Sequence, residues 1–138
     1  MTNSAPTATT AVSKLGFKTN DIVQEFGYDD DVDFDFRDVL EDTIGSELLY
    51  DDDQEVVDSS ILWWRENDGD LTDNIVDIMP TLSEGGRIIV LTQKPGREEY
   101  VDPADIQEAA QTTGMNASAG INIGPDWVAT GLVARKKR

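Results

Sequence analysis

Residues 87–92 read RIIVLT, and Ile88–Leu91 is apolar without interruption. A strand with no polar face needs cover on both sides, which is the condition of a parallel sheet carrying helices on each face. The flanking segments supply such helices. Upstream, Leu71, Ile75, Ile78, Met79 and Leu82 share one helical face after Asp70, a good N-cap. SEGG (83–86) ends that helix. Downstream, DPADIQEAAQTTG (102–114) has Asp102 as N-cap, Pro103 at the first helical position and Gly114 as stop.

The alternation extends in both directions. Ile22, Val23 and Phe26 suggest a short strand that Gly27 ends. Val32, Phe36, Val39, Leu40 and Ile44 recur at steps of four, three, one and four, one face of a helix that Gly45 stops. ELLY (47–50) reads as a second short strand, DDDQE (51–55) as a solvated loop, and VVDSSILWW (56–64) as a longer strand covered on both faces. NASAGINI and WVATGLVA read as two antiparallel strands around GPD (124–126).

The expected fold is therefore α/β: a three-layer Rossmann-like sandwich with a mostly parallel sheet and antiparallel C-terminal strands. One domain spans 14–134. Residues 1–13 are small and polar and are expected to be a disordered tail; RKKR (135–138) is a basic tail.

Charge narrows the function. The 138 residues include 28 acidic and 11 basic ones, a net charge of -17. Such a surface repels phosphate, so direct binding to nucleic acid or an anionic membrane is not expected, and a protein with a basic surface is. Nineteen of the 28 acidic residues fall between 21 and 70, where Arg37 and Arg65 are the only bases. Salt adaptation accounts for acidity as such, but it does not require this clustering. The chain has no cysteine and no histidine, which removes thiolate chemistry, the Ser-His-Asp triad and most transition-metal sites. No apolar stretch approaches the roughly 20 residues of a membrane span. The N-terminus lacks the basic start and apolar block of a signal peptide. A cytoplasmic setting is expected.

Two candidate regions emerge. Asp29, Asp30, Asp31, Asp33 and Asp35 form an acidic run ahead of a helix, where negative charge is favoured. Its spacing is not that of an EF-hand, since Phe34 and Leu40 stand at the sixth and twelfth positions, and no metal site is assigned. The run is read as a helix cap and part of a partner-binding face. The second region is the carboxyl edge of the sheet, where open α/β folds bind ligands. Trp64, Arg65, Lys94 and Arg97 fall at that edge. Trp63 and Trp64 must point to opposite faces. No nucleophile or base is evident, so no catalytic residue is assigned.

Residues 56–134 resemble the C-terminal half of a class I methyltransferase domain: a strand, a helix ending in Pro80…Gly85-Gly86, a strand, a helix ending in Gly114, and a final strand pair. The resemblance implies a Rossmann-like fold. The first half departs from it. The family carries a glycine-rich turn after its first strand, near the cofactor's amino-acid end; here the stretch is EFGYDDDVD, with Gly27 alone. Asp51 matches the acidic residue that holds the cofactor ribose. No cofactor is assigned. The whole chain is also similar to a family of short, acidic actinobacterial proteins classed as a domain of unknown function, through KLGFKTNDIVQEFGYDDDVD, IGSELL, DGDLTD and DIQEAAQTTGM. The reading is a non-catalytic protein-binding or regulatory module on a reduced methyltransferase-like fold. The alternatives are a small-molecule enzyme or sensor using the carboxyl edge, and a nucleic-acid mimic.

Overall fold

The computed structural model describes residues 5–134. The order is α1 (Ala5–Leu15), β1 (Val23–Phe26), α2 (Phe34–Ile44), β2 (Val57–Trp64), α3 (Leu71–Ile78), a 3-10 turn (Met79–Thr81), β3 (Leu82–Gln93), α4 (Pro103–Thr113), β4 (Met115–Ala117), β5 (Ile121–Asn122) and β6 (Trp127–Ala134). The strands form one sheet in the order β1-β2-β3-β6-β4, with β5 also on β6. β1, β2 and β3 run parallel, and β6 is antiparallel to β3, β4 and β5.

Helices cover both faces. On one, Val12, Leu15, Phe36, Leu40 and Ile44 pack with Ile61, Trp63, Ile89, Leu91 and Trp127. On the other, Leu71, Ile75, Ile106 and Ala110 pack with Leu62, Trp64, Ile88 and Val90. Trp63 and Trp64 thus serve opposite cores, as strand alternation requires. The three-layer, mostly parallel α/β fold read from the periodicity is the fold observed.

Three expectations are corrected. The stretch read as a disordered tail is α1 from Ala5 onward, because Ala8, Ala11, Val12 and Leu15 make a close-packing face that is buried beside α2. Residues 1–4 and the basic tail 135–138 lie outside the described residues. ELLY contributes a single bridge, Leu49 to Gln24, not a strand. Asp53 accepts the Tyr50 N–H at 2.8 Å and turns the chain away from the sheet. The helix after Asp70 stops at Ile78, with Pro80 in the 3-10 turn; Leu82 already pairs with Val57, and residues 83–86 bulge before pairing resumes at Ser59 and Arg87.

Candidate functional site: the carboxyl edge of the sheet

Because β1, β2 and β3 are parallel, the loops that follow them leave the same edge. The turn after the Leu49 bridge leaves there too. These loops carry nine of the nineteen acidic residues between 21 and 70: Asp29–Asp31, Asp51–Asp53, Glu66, Asp68 and Asp70. Asp29, Asp30, Asp51 and Asp52 are exposed. So are three aromatic side chains between them: Tyr28 at 50%, Phe34 at 46% and Tyr50 at 74%. Tyr28 meets Phe34 edge-on, with ring centroids 6.2 Å apart.

The turn after β1 is bound down to the sheet. Gly27 has φ +77°, and a Cβ there would stand 2.4 Å from the Trp63 carbonyl oxygen, so only glycine fits. Arg65, at the end of β2, donates from Nε to Asp31 Oδ2 at 2.9 Å and pairs through Nη2 with Asp31 Oδ1 at 2.5 Å. Its Nη1 also donates to the Gly27 carbonyl at 2.9 Å. The guanidinium holds the Asp31 carboxyl below the usual aspartate range. The Trp127 indole N–H donates to the Asp31 carbonyl at 3.0 Å. Within the turn, Asp29 Oδ1 accepts the Asp30 N–H. Asp33 caps α2 by accepting the Phe36 N–H at 2.9 Å, and half-burial raises its pKa.

Beneath the turn, Glu25 is 7% exposed and fully engaged. Arg37 donates to it from Nε and Nη2 at 2.7 and 2.9 Å, and Trp63 Nε1 donates at 2.9 Å. The Arg37 guanidinium also lies 4.9 Å from the centre of the Tyr28 ring. Tyr28, Arg37, Tyr50 and Asp51 wall an open cleft of about 490 Å³.

The five aspartates of the predicted face thus divide. Asp29 and Asp30 project to solvent, Asp31 is committed to Arg65, and Asp33 to the helix cap; Asp35 is exposed in the first turn of α2. The predicted ligand-edge residues do not converge. Trp64 is buried in the second core and borders a groove with Glu66, Asp70 and Asp105. Arg65 serves the opposite face. Arg97 pairs with Asp126 at 2.9 Å and donates to the Pro125 carbonyl. Lys94 borders a separate cavity under α4. Glu25, Tyr28 and Tyr50 went unread in the sequence; an acid inside a short apolar strand and two tyrosines beside aspartate runs were the available signals. Among the described residues no cluster of three or more acidic side chains could hold a metal ion. No helix among them is long and apolar enough to cross a membrane.

A mostly parallel α/β sheet with an antiparallel C-terminal strand and helices on both faces has the architecture of the class I methyltransferase fold. Solved structures agree. A SAM dependent methyltransferase from Aquifex aeolicus matches with TM-score 0.60 at 9% identity, over 93% of this chain and 89% of that one. The precorrin-6y C5,15-methyltransferase of Geobacter metallireducens matches with TM-score 0.57 at 12% identity, over 91% and 87%. At these identities the likeness is one of fold. The chain belongs to the family described as protein of unknown function DUF3052, which it matches over residues 12–136. Uncharacterized proteins of Mycobacterium bovis and Mycobacterium tuberculosis are 44% identical to it over 125 residues, 91% of this chain and 78% of theirs.

The fold implies S-adenosylmethionine, and the turn after β1 is where its amino-acid end would lie. The residues there do not fit that group. The one glycine gives its space to the Trp63 carbonyl, not to a ligand. Arg65, the base nearest the turn and the group that could receive the cofactor's carboxylate, is spent on Asp31.

Proposed function

We propose that this protein is a non-catalytic binding module whose acidic, aromatic edge docks on a basic surface of a partner protein. The observation that carries the reading is the gathering of Asp29, Asp30, Asp51 and Asp52 around exposed Tyr28, Phe34 and Tyr50 on one edge. Aromatic side chains anchor interfaces, and the carboxylates around them attract and orient a basic partner. Tyr faces also receive Arg and Lys side chains directly. One face of Tyr28 already receives Arg37, and Tyr50, 74% exposed beside Asp51 in the same cleft, is the ring open to such a side chain. The Arg65–Asp31 contact supports the reading, since it holds the turn in place without a ligand. Nucleic acid is not the target, because its phosphates meet the same negative field.

The test is capture from a lysate of the protein's own cells at low and high salt, read by mass spectrometry. Specific partners should be retained at low salt, released at high salt, and lost to an Asp29→Lys/Asp30→Lys/Asp51→Lys variant. Partners that the variant retains equally well would overturn the assignment of this edge.

A further inference from the structure

Thr92 and Thr130 are polar residues inside buried strands, 4% and 6% exposed. Neither hydroxyl is among the buried polar atoms left without a partner, which among the described residues are Gln24 Oε1 and Ser60 Oγ. A hydroxyl on a cavity wall can donate to or accept from a ligand held there. Val90 pairs with Thr130 and Thr92 with Val128, so all four share one face of the sheet, the face under α4. Both threonines border a cavity of about 170 Å³, with Tyr100, Val101, Ile106 and Val128 among its walls. A dry protein cavity of about 150 Å³ takes up benzene, so this one has the size of a single ring with a small substituent.

Lys94 completes the site. Its N–H continues the ladder by donating to the Asp126 carbonyl at 2.9 Å, and alternation puts its side chain on the Thr92 side. It borders the cavity and makes no ion pair among the described residues, whereas Arg37, Arg65 and Arg97 are all paired.

We propose that this cavity binds a small monocarboxylate with an apolar ring or short chain. Its carboxylate is received by Lys94 and the two hydroxyls, and its body by Val101, Ile106 and Val128. The site is distinct from the acidic edge and does not depend on the docking function.

The test is a fluorine-detected NMR titration of the intact protein with 4-fluorobenzoate and with neutral 4-fluorobenzyl alcohol. Saturable binding of the carboxylate is expected, with the alcohol weaker by about tenfold, a difference of about 1.4 kcal/mol. Thr92→Val/Thr130→Val should weaken the carboxylate by at least about tenfold, with a cooperative melt showing that the near-isosteric variant still folds. Lys94→Gln should abolish the preference for the carboxylate. The proposal is overturned by no saturable binding at millimolar 4-fluorobenzoate, by equal binding of the alcohol, or by unchanged binding in the double variant.

Discussion

Arg65 Nη2 lies 2.5 Å from Asp31 Oδ1, which ties the turn after β1 to the end of β2 across 34 residues of sequence. The same guanidinium reaches the Gly27 and Trp63 carbonyls, so it satisfies the backbone of both segments. Arg65→Ala should cost about 1–2 kcal/mol, a charge-assisted contact discounted for the partly exposed carboxylate. Chemical denaturation reads that cost. Limited proteolysis should show new cleavage within residues 28–33 and little elsewhere.

Asp31 and Asp33 should respond to acid in opposite directions. Arg65 depresses the folded pKa of Asp31, so its contribution is present at neutral pH and lost as pH falls below about 4. Burial raises the folded pKa of Asp33, with Asp35 and Asp126 adding to it; the folded state holds that proton more tightly, and its contribution is lost as pH rises through the raised value. Asp33→Asn keeps a good N-cap and removes the charge. The variant should therefore be at least as stable as wild type at neutral pH, with the difference shrinking toward about pH 4. Paired denaturation curves at the two pH values check the sign.

Gly124 should not tolerate a side chain. A Cβ there would stand 2.0 Å from Asp33 Oδ2, so Gly124→Ala must displace the capping carboxylate. The expected loss is about 1–2 kcal/mol, the value of an N-cap. Asp33→Ser shortens the cap, and the Gly124→Ala/Asp33→Ser pair should recover most of that loss in a double-mutant cycle.

Glu25 carries the polar centre of the first core. Glu25→Ala strands Arg37 and the Trp63 indole N–H and should cost about 3 kcal/mol or more. Glu25→Gln keeps an acceptor for Trp63 and should cost less. Tryptophan fluorescence should shift in both, since Trp63 stacks edge-on with Phe36 and Trp127 at centroid distances of 6.2 and 5.0 Å.

How much of this was legible follows from the range of each interaction. β3, α4 and the opposite faces of Trp63 and Trp64 came from local periodicity and caps, and the structure keeps them. The common edge of the acidic loops follows from strand order alone. α1 was missed because Ala8 and Ala11 read as polar-tail residues until a partner helix covers them. The Arg65–Asp31 contact and the Asp33–Gly124 approach join distant segments, and no spacing rule reports them. Thr92 and Thr130 were visible as polar residues within apolar strands, yet only the pairing register sets them on one face.

The acidic edge itself is tested most directly by the association rate of the protein with a purified, captured partner at low and at physiological salt. Electrostatic steering acts on the on-rate, which should fall steeply with salt for wild type. The Asp29→Lys/Asp30→Lys/Asp51→Lys variant should associate about tenfold more slowly or worse, with a weakened salt dependence and a nearly unchanged off-rate. Equal on-rates and equal salt dependence in the two proteins would contradict docking through this edge.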